Sequence, residues 1–156
     1  ATVTTSGVSV IEVSGIPQTY NTLYIIASVR DTTTTGRTAS YVFRDSSGTG
    51  LGQNALVRQI FDQENSAEGN GVAGMIALTN ADSELDSRTH AETYITGYSQ
   101  TNLPYSIFSF GFAETIFGTG IISHSVGADG ARLGIDTIRL IETEFSVGSY
   151  ISVYAF

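Results

Sequence analysis

Three groups of residues in this chain are of types that do chemistry. Asp82, Glu84 and Asp86, within Asn80-Ala-Asp-Ser-Glu-Leu-Asp-Ser87, alternate like the first ligands of a calcium loop. An EF-hand also needs Gly at its sixth position and Glu at its twelfth. Counted from Asp82, those places hold Ser87 and Thr93, so the stretch reads as a solvated acidic loop. His90 and His124 are the two histidines. A transition-metal site needs several clustered nitrogen or sulfur donors, and Cys is absent. His124 alternates with Ile122 and Val126, the pattern of a hydrogen-bonded, partly buried side chain. Beside a buried carboxylate it would titrate near neutrality. Glu142 and Glu144 would share a strand face if their strand continued. Glycosidases pair two carboxylates about 5–9.5 Å apart across a cleft. With no Trp to form a sugar platform, the two read as exposed acids at a strand end.

Other catalytic frames are missing. No Gly-x-Ser-x-Gly elbow anchors a hydrolase triad. Lys is absent, so no phosphate-cradling loop carries its lysine. Thr119-Gly120 and Gly127–Gly130 read as hairpin glycines, and there is no Asn-x-Ser/Thr sequon. The expectation is a protein that is not an enzyme and holds no cofactor and no metal.

Any side chain doing work must be positioned by strands. Short runs of Val, Ile, Tyr and Phe are punctuated by Ser, Thr and 17 Gly, a strand-and-turn composition. Sustained apolar spacing at i, i+3 and i+4 is hard to find. The pattern predicts ten strands: Val8–Val13, Leu23–Arg30, Thr38–Arg44, Ala55–Phe61, Val72–Leu78, Ala91–Tyr98, Tyr105–Ala113, Gly120–Val126, Leu133–Glu142 and Ser149–Phe156. Turn chemistry separates most of them, at Ser14-Gly15, Thr32–Gly36, Asp45–Gly52, Glu68–Gly71, Thr101–Pro104, Gly127–Gly130 and Ser146–Gly148. Such spacing predicts an all-β antiparallel β-sandwich or jelly roll, with an up-and-down barrel as rival. Phe108, Phe110 and Phe112 alternate with Ser109 and Gly111, which predicts the Phe stripe facing the core. Apolar parity switches between Ile135 and Ile138, which predicts a bulge near Asp136-Thr137. Leu23–Val29 is apolar on both faces, so that strand is covered twice or offers one face to another subunit.

The 156 residues predict one domain over 1–156, with no linker and no repeat of fixed period. Apolar content of 41% with 14% charged excludes a disordered acidic chain. No apolar run approaches the ~18 residues of a membrane helix, and no leader pattern opens the chain. Fifteen acids against seven basic residues, all Arg, give a net charge of −8. Nucleic-acid binding rests on Lys and Arg neutralising phosphates, so it is excluded as a function class. Anionic membrane surfaces are disfavoured on the same ground.

Two long stretches carry a resemblance. One is Ser14-Gly-Ile-Pro-Gln-Thr-Tyr-Asn-Thr-Leu-Tyr-Ile-Ile-Ala-Ser-Val-Arg-Asp31. The other is Ile135-Asp-Thr-Ile-Arg-Leu-Ile-Glu-Thr-Glu-Phe-Ser-Val-Gly-Ser-Tyr-Ile-Ser-Val-Tyr-Ala-Phe156. They resemble the opening and closing strands of a family of small tailed-phage virion proteins. That family begins with an Ile-Pro-x-x-Tyr-x-x-Leu strand ending in Arg. It closes with Ile-x-x-Ile, Phe-x-x-Gly-Ser and an alternating strand ending near Leu-Tyr-Gly. Tyr94-Ile-Thr-Gly-Tyr-Ser-Gln-Thr-Asn-Leu-Pro-Tyr-Ser106 is similar to the family's strand, Tyr, turn and strand element. This chain departs in ending Tyr-Ala-Phe. It also carries Arg44-Asp-Ser-Ser-Gly48 where an Asn-containing turn is usual.

The resemblance implies an outer component of a phage particle, a capsid cement or decoration protein, with fibre and knob relatives. It points to the outer capsid surface of the virion, with the major capsid protein as partner; strand Leu23–Arg30, apolar on both faces, and the absence of Lys to guard sheet edges predict a homotrimer. Tyr24 and Ile26 lie opposite Leu23 and Ile25, and Tyr150, Tyr154 and Phe156 lie on the last strand; these five are the candidate partner interface. A fibre head that binds a host receptor or glycan is the alternative. It would use loop tips at Thr32–Arg37 or Ser46–Gly52, with Tyr20, Tyr41, Tyr98 and Tyr105 as candidate contacts.

The incomplete calcium loop generates a first prediction. A real site would add RT ln(1 + [L]/Kd) to stability. EDTA is therefore expected to leave the thermal midpoint unchanged within about 1 °C, read by circular dichroism. A drop of several degrees, restored by calcium, overturns that reading.

Overall fold

The structure is a computed structural model that describes residues 2–4, 8–32, 38–51, 53–61, 65–71, 75–77, 88–100, 105–113, 119–127, 134–142 and 144–156. Among them are twelve strands and no helix: β1 Thr2–Thr4, β2 Val10–Val13, β3 Thr22–Val29, β4 Thr38–Arg44, β5 Gln53–Phe61 and β6 Asn65–Gly71, then β7 Met75–Ala77, β8 Thr89–Thr96, β9 Ser106–Ala113, β10 Thr119–Gly127, β11 Thr137–Ile141 and β12 Tyr150–Ala155. They form two antiparallel sheets. The large one runs β1-β12-β3-β8-β9-β10-β5-β6, and the small one runs β2-β11-β4-β7. The ten expected strands each have a counterpart. Two were not expected: β1, and β6, which runs through the glycines of the expected turn at Glu68–Gly71.

The sheets are packed as a β-sandwich by period-two burial. In β3 the odd residues Leu23, Ile25, Ala27 and Val29 are fully buried. In β8 the odd residues Thr89, Ala91, Thr93 and Ile95 are buried, and in β12 Ile151 and Val153. Opposite them stand Ile11 and Val13 of β2, Tyr41 and Phe43 of β4, and Ile138 and Leu140 of β11, in one contiguous core cluster. Each such Ile, Leu or Phe stabilises the sandwich by about 1.5–3 kcal/mol relative to exposure.

Strand β9 corrects the expectation for its Phe residues. Ile107, Ser109 and Gly111 face the core, while Phe108 is 43% exposed and Phe110 half-buried on the outside. Phe112 lies outside the described side chains. Volume explains the inversion. Tyr41 and Phe43 from the small sheet are fully buried, stacked with ring centroids 6.1 Å apart, and Phe43 meets Tyr105 edge-on at 6.2 Å. On the facing sheet, β8 and β9 set Ala91 opposite Gly111 and Thr93 opposite Ser109. A Cβ on Gly111 would lie 2.8 Å from Ala91 Cβ. Small residues on this inner surface leave room for the large rings, at the close-packed density of protein interiors. The Thr93 and Ser109 hydroxyls hydrogen-bond each other at 2.8 Å, fully buried, so neither is stranded. Burial pushes the Tyr41 phenol up to about 12, and the neighbouring Thr93 hydroxyl offsets part of that.

The parity switch before β11 has a local cause. Thr137 is the register partner of Arg44, and Asp136 N–H also donates to the Arg44 carbonyl at 2.9 Å. Two residues thus stand opposite one, the geometry of a bulge, and Ile135 and Ile138 are both buried. After β4, Asp45 accepts hydrogen bonds at one carboxylate oxygen from Ser47 N–H, Ser47 Oγ–H and Thr49 N–H, at 2.9, 2.6 and 2.9 Å. The Ser47 hydroxyl, with those backbone N–H groups, holds the Asp45 carboxyl below the usual carboxylate range. This Asx turn delivers the chain to Gly48 at φ 82°.

Truncating the core and the outer face should therefore differ sharply. Phe43→Ala is expected to cost about 3–5 kcal/mol, and Gly111→Val about 1–3 kcal/mol by overpacking against Ala91. Phe108→Ala should cost no more than about 1 kcal/mol. Urea unfolding followed by circular dichroism measures all three. Equal losses for Phe43→Ala and Phe108→Ala would contradict the inverted parity of β9.

Candidate partner-binding face

The outward residues of β12, β3, β8 and β9 are the even ones. Register sets Tyr154 opposite Tyr24, Tyr24 opposite Tyr94 and Tyr94 opposite Phe108. An aromatic row thus crosses four adjacent strands. Tyr24 and Tyr94 stack at 4.7 Å between centroids, and Tyr24 and Tyr154 lie 6.1 Å apart. Such cross-strand aromatic pairs each contribute roughly 0.2–1 kcal/mol. The row nevertheless stays open to solvent: Tyr94 is 37%, Phe108 43% and Tyr154 51% exposed. Contiguous exposed apolar surface of this kind marks interaction sites.

One step along the strands lies a second row, Ser152, Ile26, Glu92 and Phe110 in register. Phe110 meets Phe108 at 6.2 Å, and Ser152 is covered from β1 by the Thr2 hydroxyl at 2.9 Å. Glu92 is half-buried in the middle of this surface. Its Oε2 accepts a hydrogen bond from the Tyr94 hydroxyl at 3.4 Å. A hydrogen bond to Glu92, with smaller contributions from burial and the carboxylate charge, raises the Tyr24 phenol well above the usual tyrosine range.

The structure places the five expected interface residues on two neighbouring strands. Tyr24 and Ile26 of β3 and Tyr150 and Tyr154 of β12 point outward, half-buried apart from the exposed Tyr154. Phe156 is 62% exposed just beyond β12, where its N–H and C=O exchange hydrogen bonds with Thr22, both 3.0 Å. Reasoning from sequence missed Tyr94, Phe108, Phe110 and Glu92. The signal for them is the register of β8 and β9 against β3, a long-range pairing that no local pattern encodes.

Other expected sites are corrected or lie elsewhere. Tyr41, Tyr98 and Tyr105 are buried and present no ring at a loop tip. The Tyr98 hydroxyl instead donates to the Pro17 carbonyl, tying the approach to β3 in place. Tyr20 is exposed. Residues 33–37 of the Thr32–Arg37 tip, and Asp82, Glu84 and Asp86, lie outside the described residues. So does the His124 side chain, while His90 is exposed on the outer face of β8. Strand β11 ends at Ile141, so Glu142 and Glu144 do not continue one strand face. Glu142 N–H bonds the Ser9 carbonyl, and the Glu144 carboxylate accepts from the Thr32 hydroxyl at 3.2 Å. Among the described residues no three His, Asp or Glu side chains converge, and no helix is long and apolar enough to cross a membrane.

Comparison with protein-family models, with curated proteins and with solved structures finds no match.

The Tyr24–Glu92 contact has a spectroscopic consequence. The folded phenol pKa is raised above the unfolded value of about 10, so this contact adds stability fully present below about pH 10 and lost as pH rises through the folded value. Glu92→Gln is expected to bring one more tyrosine into titration by about pH 11, read as phenolate absorbance near 295 nm. An unchanged titration curve would remove Glu92 as the cause.

Proposed function

We propose that this chain is a capsid decoration protein of a tailed phage, which binds the outer surface of the assembled shell, with the major capsid protein as partner, and works as a homotrimer. The observation that carries the proposal is the outward aromatic row Tyr154, Tyr24, Tyr94 and Phe108, open to solvent at Tyr154, Tyr94 and Phe108, on a sheet whose other face is the core. Aromatic side chains dominate protein interfaces because they bury much area at low entropic cost. The resemblance of Ser14–Asp31 and Ile135–Phe156 to small virion proteins supplies the biological class. A protein that binds only the assembled shell stabilises that shell by mass action, without catalysis.

A jelly roll is the finer fold reading, and strand order supports it. An eight-stranded jelly roll sets its first, eighth, third and sixth strands in one sheet, and its second, seventh, fourth and fifth in the other. With β2, β3, β4, β5, β6, β7, β10 and β11 as those eight, the small sheet has the first order. The large sheet has the second, with the β8–β9 hairpin inserted between β3 and β10 and with β12 and β1 added beyond β3. On this reading the inserted hairpin is what widens the aromatic face.

The second reading is a fibre or knob protein that binds a host receptor or glycan. The stacked Tyr24–Tyr94 pair beside a carboxylate favours it, since sugars are held by aromatic platforms and hydrogen-bonding acids. Copy number per particle separates the two: hundreds for decoration, a few for a fibre.

The proposal is tested with the intact chain and empty shells of its particle. Wild type should co-sediment with shells and raise their melting temperature. Light scattering at micromolar concentration should give the mass of a trimer; a clean monomer bound to shells would leave decoration standing and remove the free trimer. Tyr24→Asp should keep its circular dichroism and lose shell binding by a factor of about 30 or more, as expected when a charge is stranded in a packed interface. Failure of wild type to bind shells defeats the proposal.

A further inference from the structure

Two outward acids, one on each sheet, stand in different surroundings. On the small sheet Glu12 stands in register with Arg139, and Arg139 Nε lies 3.0 Å from Glu12 Oε2. This is an ordinary solvent-screened cross-strand pair. On the large sheet Glu92 stands in register with Ile26 and Phe110, one step from the stacked Tyr24–Tyr94 pair. Among the described side chains the Tyr94 hydroxyl donates to it, and no Arg or His forms an ion pair with it. His90, two residues along the same face, is exposed.

A carboxylate has about four acceptor positions, and phenol O–H donors fill only part of them. Among the described side chains no cation meets its charge, and Ile26 and Phe110 flank it. If a partner covers the aromatic row, that charge must be met by a cation or be stranded at considerable cost. A second copy of the same face, docked about a two-fold axis, would bring like charges together. A cation brought by a different surface avoids that repulsion.

We infer that Glu92, with the stacked rings of Tyr24 and Tyr94, forms a cradle for an arginine side chain of the partner that covers this face. Guanidinium suits it better than ammonium. Its plane stacks on a tyrosine ring, its N–H fork pairs with a carboxylate, and it gives up water more readily. The Tyr94 hydroxyl, donating to Glu92 Oε2, fixes that carboxylate at the edge of the ring stack. Net charge of −8 adds a general bias toward a basic partner surface. The inference rests on the proposed shell-binding reading in one respect: the arginine would then belong to the shell.

Two experiments separate this inference from that reading. In the first, the intact chain is titrated with N-acetyl-arginine amide, N-acetyl-lysine amide and a methyl glycoside, with ring resonances of Tyr24, Tyr94 and Phe108 followed by NMR. The arginine amide should move the Tyr24 and Tyr94 rings at millimolar concentration, more strongly than the lysine amide, and Glu92→Gln should weaken the effect about tenfold or more. No ring shift, or an equal shift in Glu92→Gln, overturns the cradle. Shifts with the glycoside alone overturn it in favour of a sugar site. Ring shifts that grow with protein concentration and no additive overturn it in favour of a second copy. In the second, wild type, Glu92→Gln and Glu92→Arg are bound to empty shells, with circular dichroism confirming the fold of each. Graded loss, about tenfold for Gln and more for Arg, supports the cradle. Equal binding of all three overturns the cradle and leaves shell binding intact. Failure of wild type to bind removes the shell reading, and the NMR titration then decides the cradle on its own.

Discussion

Two large rings on β4, Tyr41 and Phe43, are fully enclosed between the sheets, and the rest of the molecule accommodates them. Protein interiors do not tolerate overlap, so the facing surface must be shallow where the rings enter. Ala91, Thr93, Ser109 and Gly111 make it shallow. Once those residues take the inner face of β8 and β9, the pleat sends Tyr94, Phe108 and Phe110 outward. The exposed aromatic surface is in that sense the other side of a packing solution. A strand has two faces of alternate residues, and satisfying one dictates the other.

This coupling explains which features could be read from residues alone. Strand positions were readable because β-branched and aromatic runs bounded by Gly, Ser and Asp carry local information. The turns at Asp45 and at Ser146–Gly148 were readable for the same reason: Asp45 caps its own turn, and Gly148 takes φ 82°. The double-sided apolar character of β3 was readable too: one face lies in the core and the other on the outside of the sheet. Which face of β9 turns inward was not readable. Apolar residues that alternate with Ser and Gly look like a core stripe until the rings on the opposing sheet are known. Asn65–Gly71 carries almost no strand propensity; its place in β6 comes from pairing with β5. Tyr41, Tyr98 and Tyr105 looked available for binding because a tyrosine in sequence does not reveal its exposure.

The candidate interface was readable only along single strands. Tyr24 and Tyr154 stand on strands recognisable in isolation, but their adjacency depends on β12 entering the sheet beside β3. Tyr94 and Glu92 join them only because β8 lies on the other side of β3. A binding surface assembled from four strands belongs to register, and register is set by long-range hydrogen bonding and the hydrophobic pattern together. The contrast between these two acids follows likewise, since Arg139 meets Glu12 through the β2–β11 register while Ile26 and Phe110 flank Glu92.

The insertion of β12 between β1 and β3 bears on how the molecule is made. Strand β3 emerges well before β12 in synthesis, yet β12 completes one of its edges. The contact closes a loop containing most of the residues, and such non-local pairing is slow. Until β12 arrives, β3 offers an unpaired edge with apolar side chains on both faces, a template for pairing with another nascent chain. The chain lacks the lysines that often guard such edges, and its excess of negative charge is a general means of keeping incomplete chains apart. The tyrosine row is finished only when Tyr154 docks beside Tyr24, so a nascent chain that has not yet released β12 cannot present the whole aromatic row.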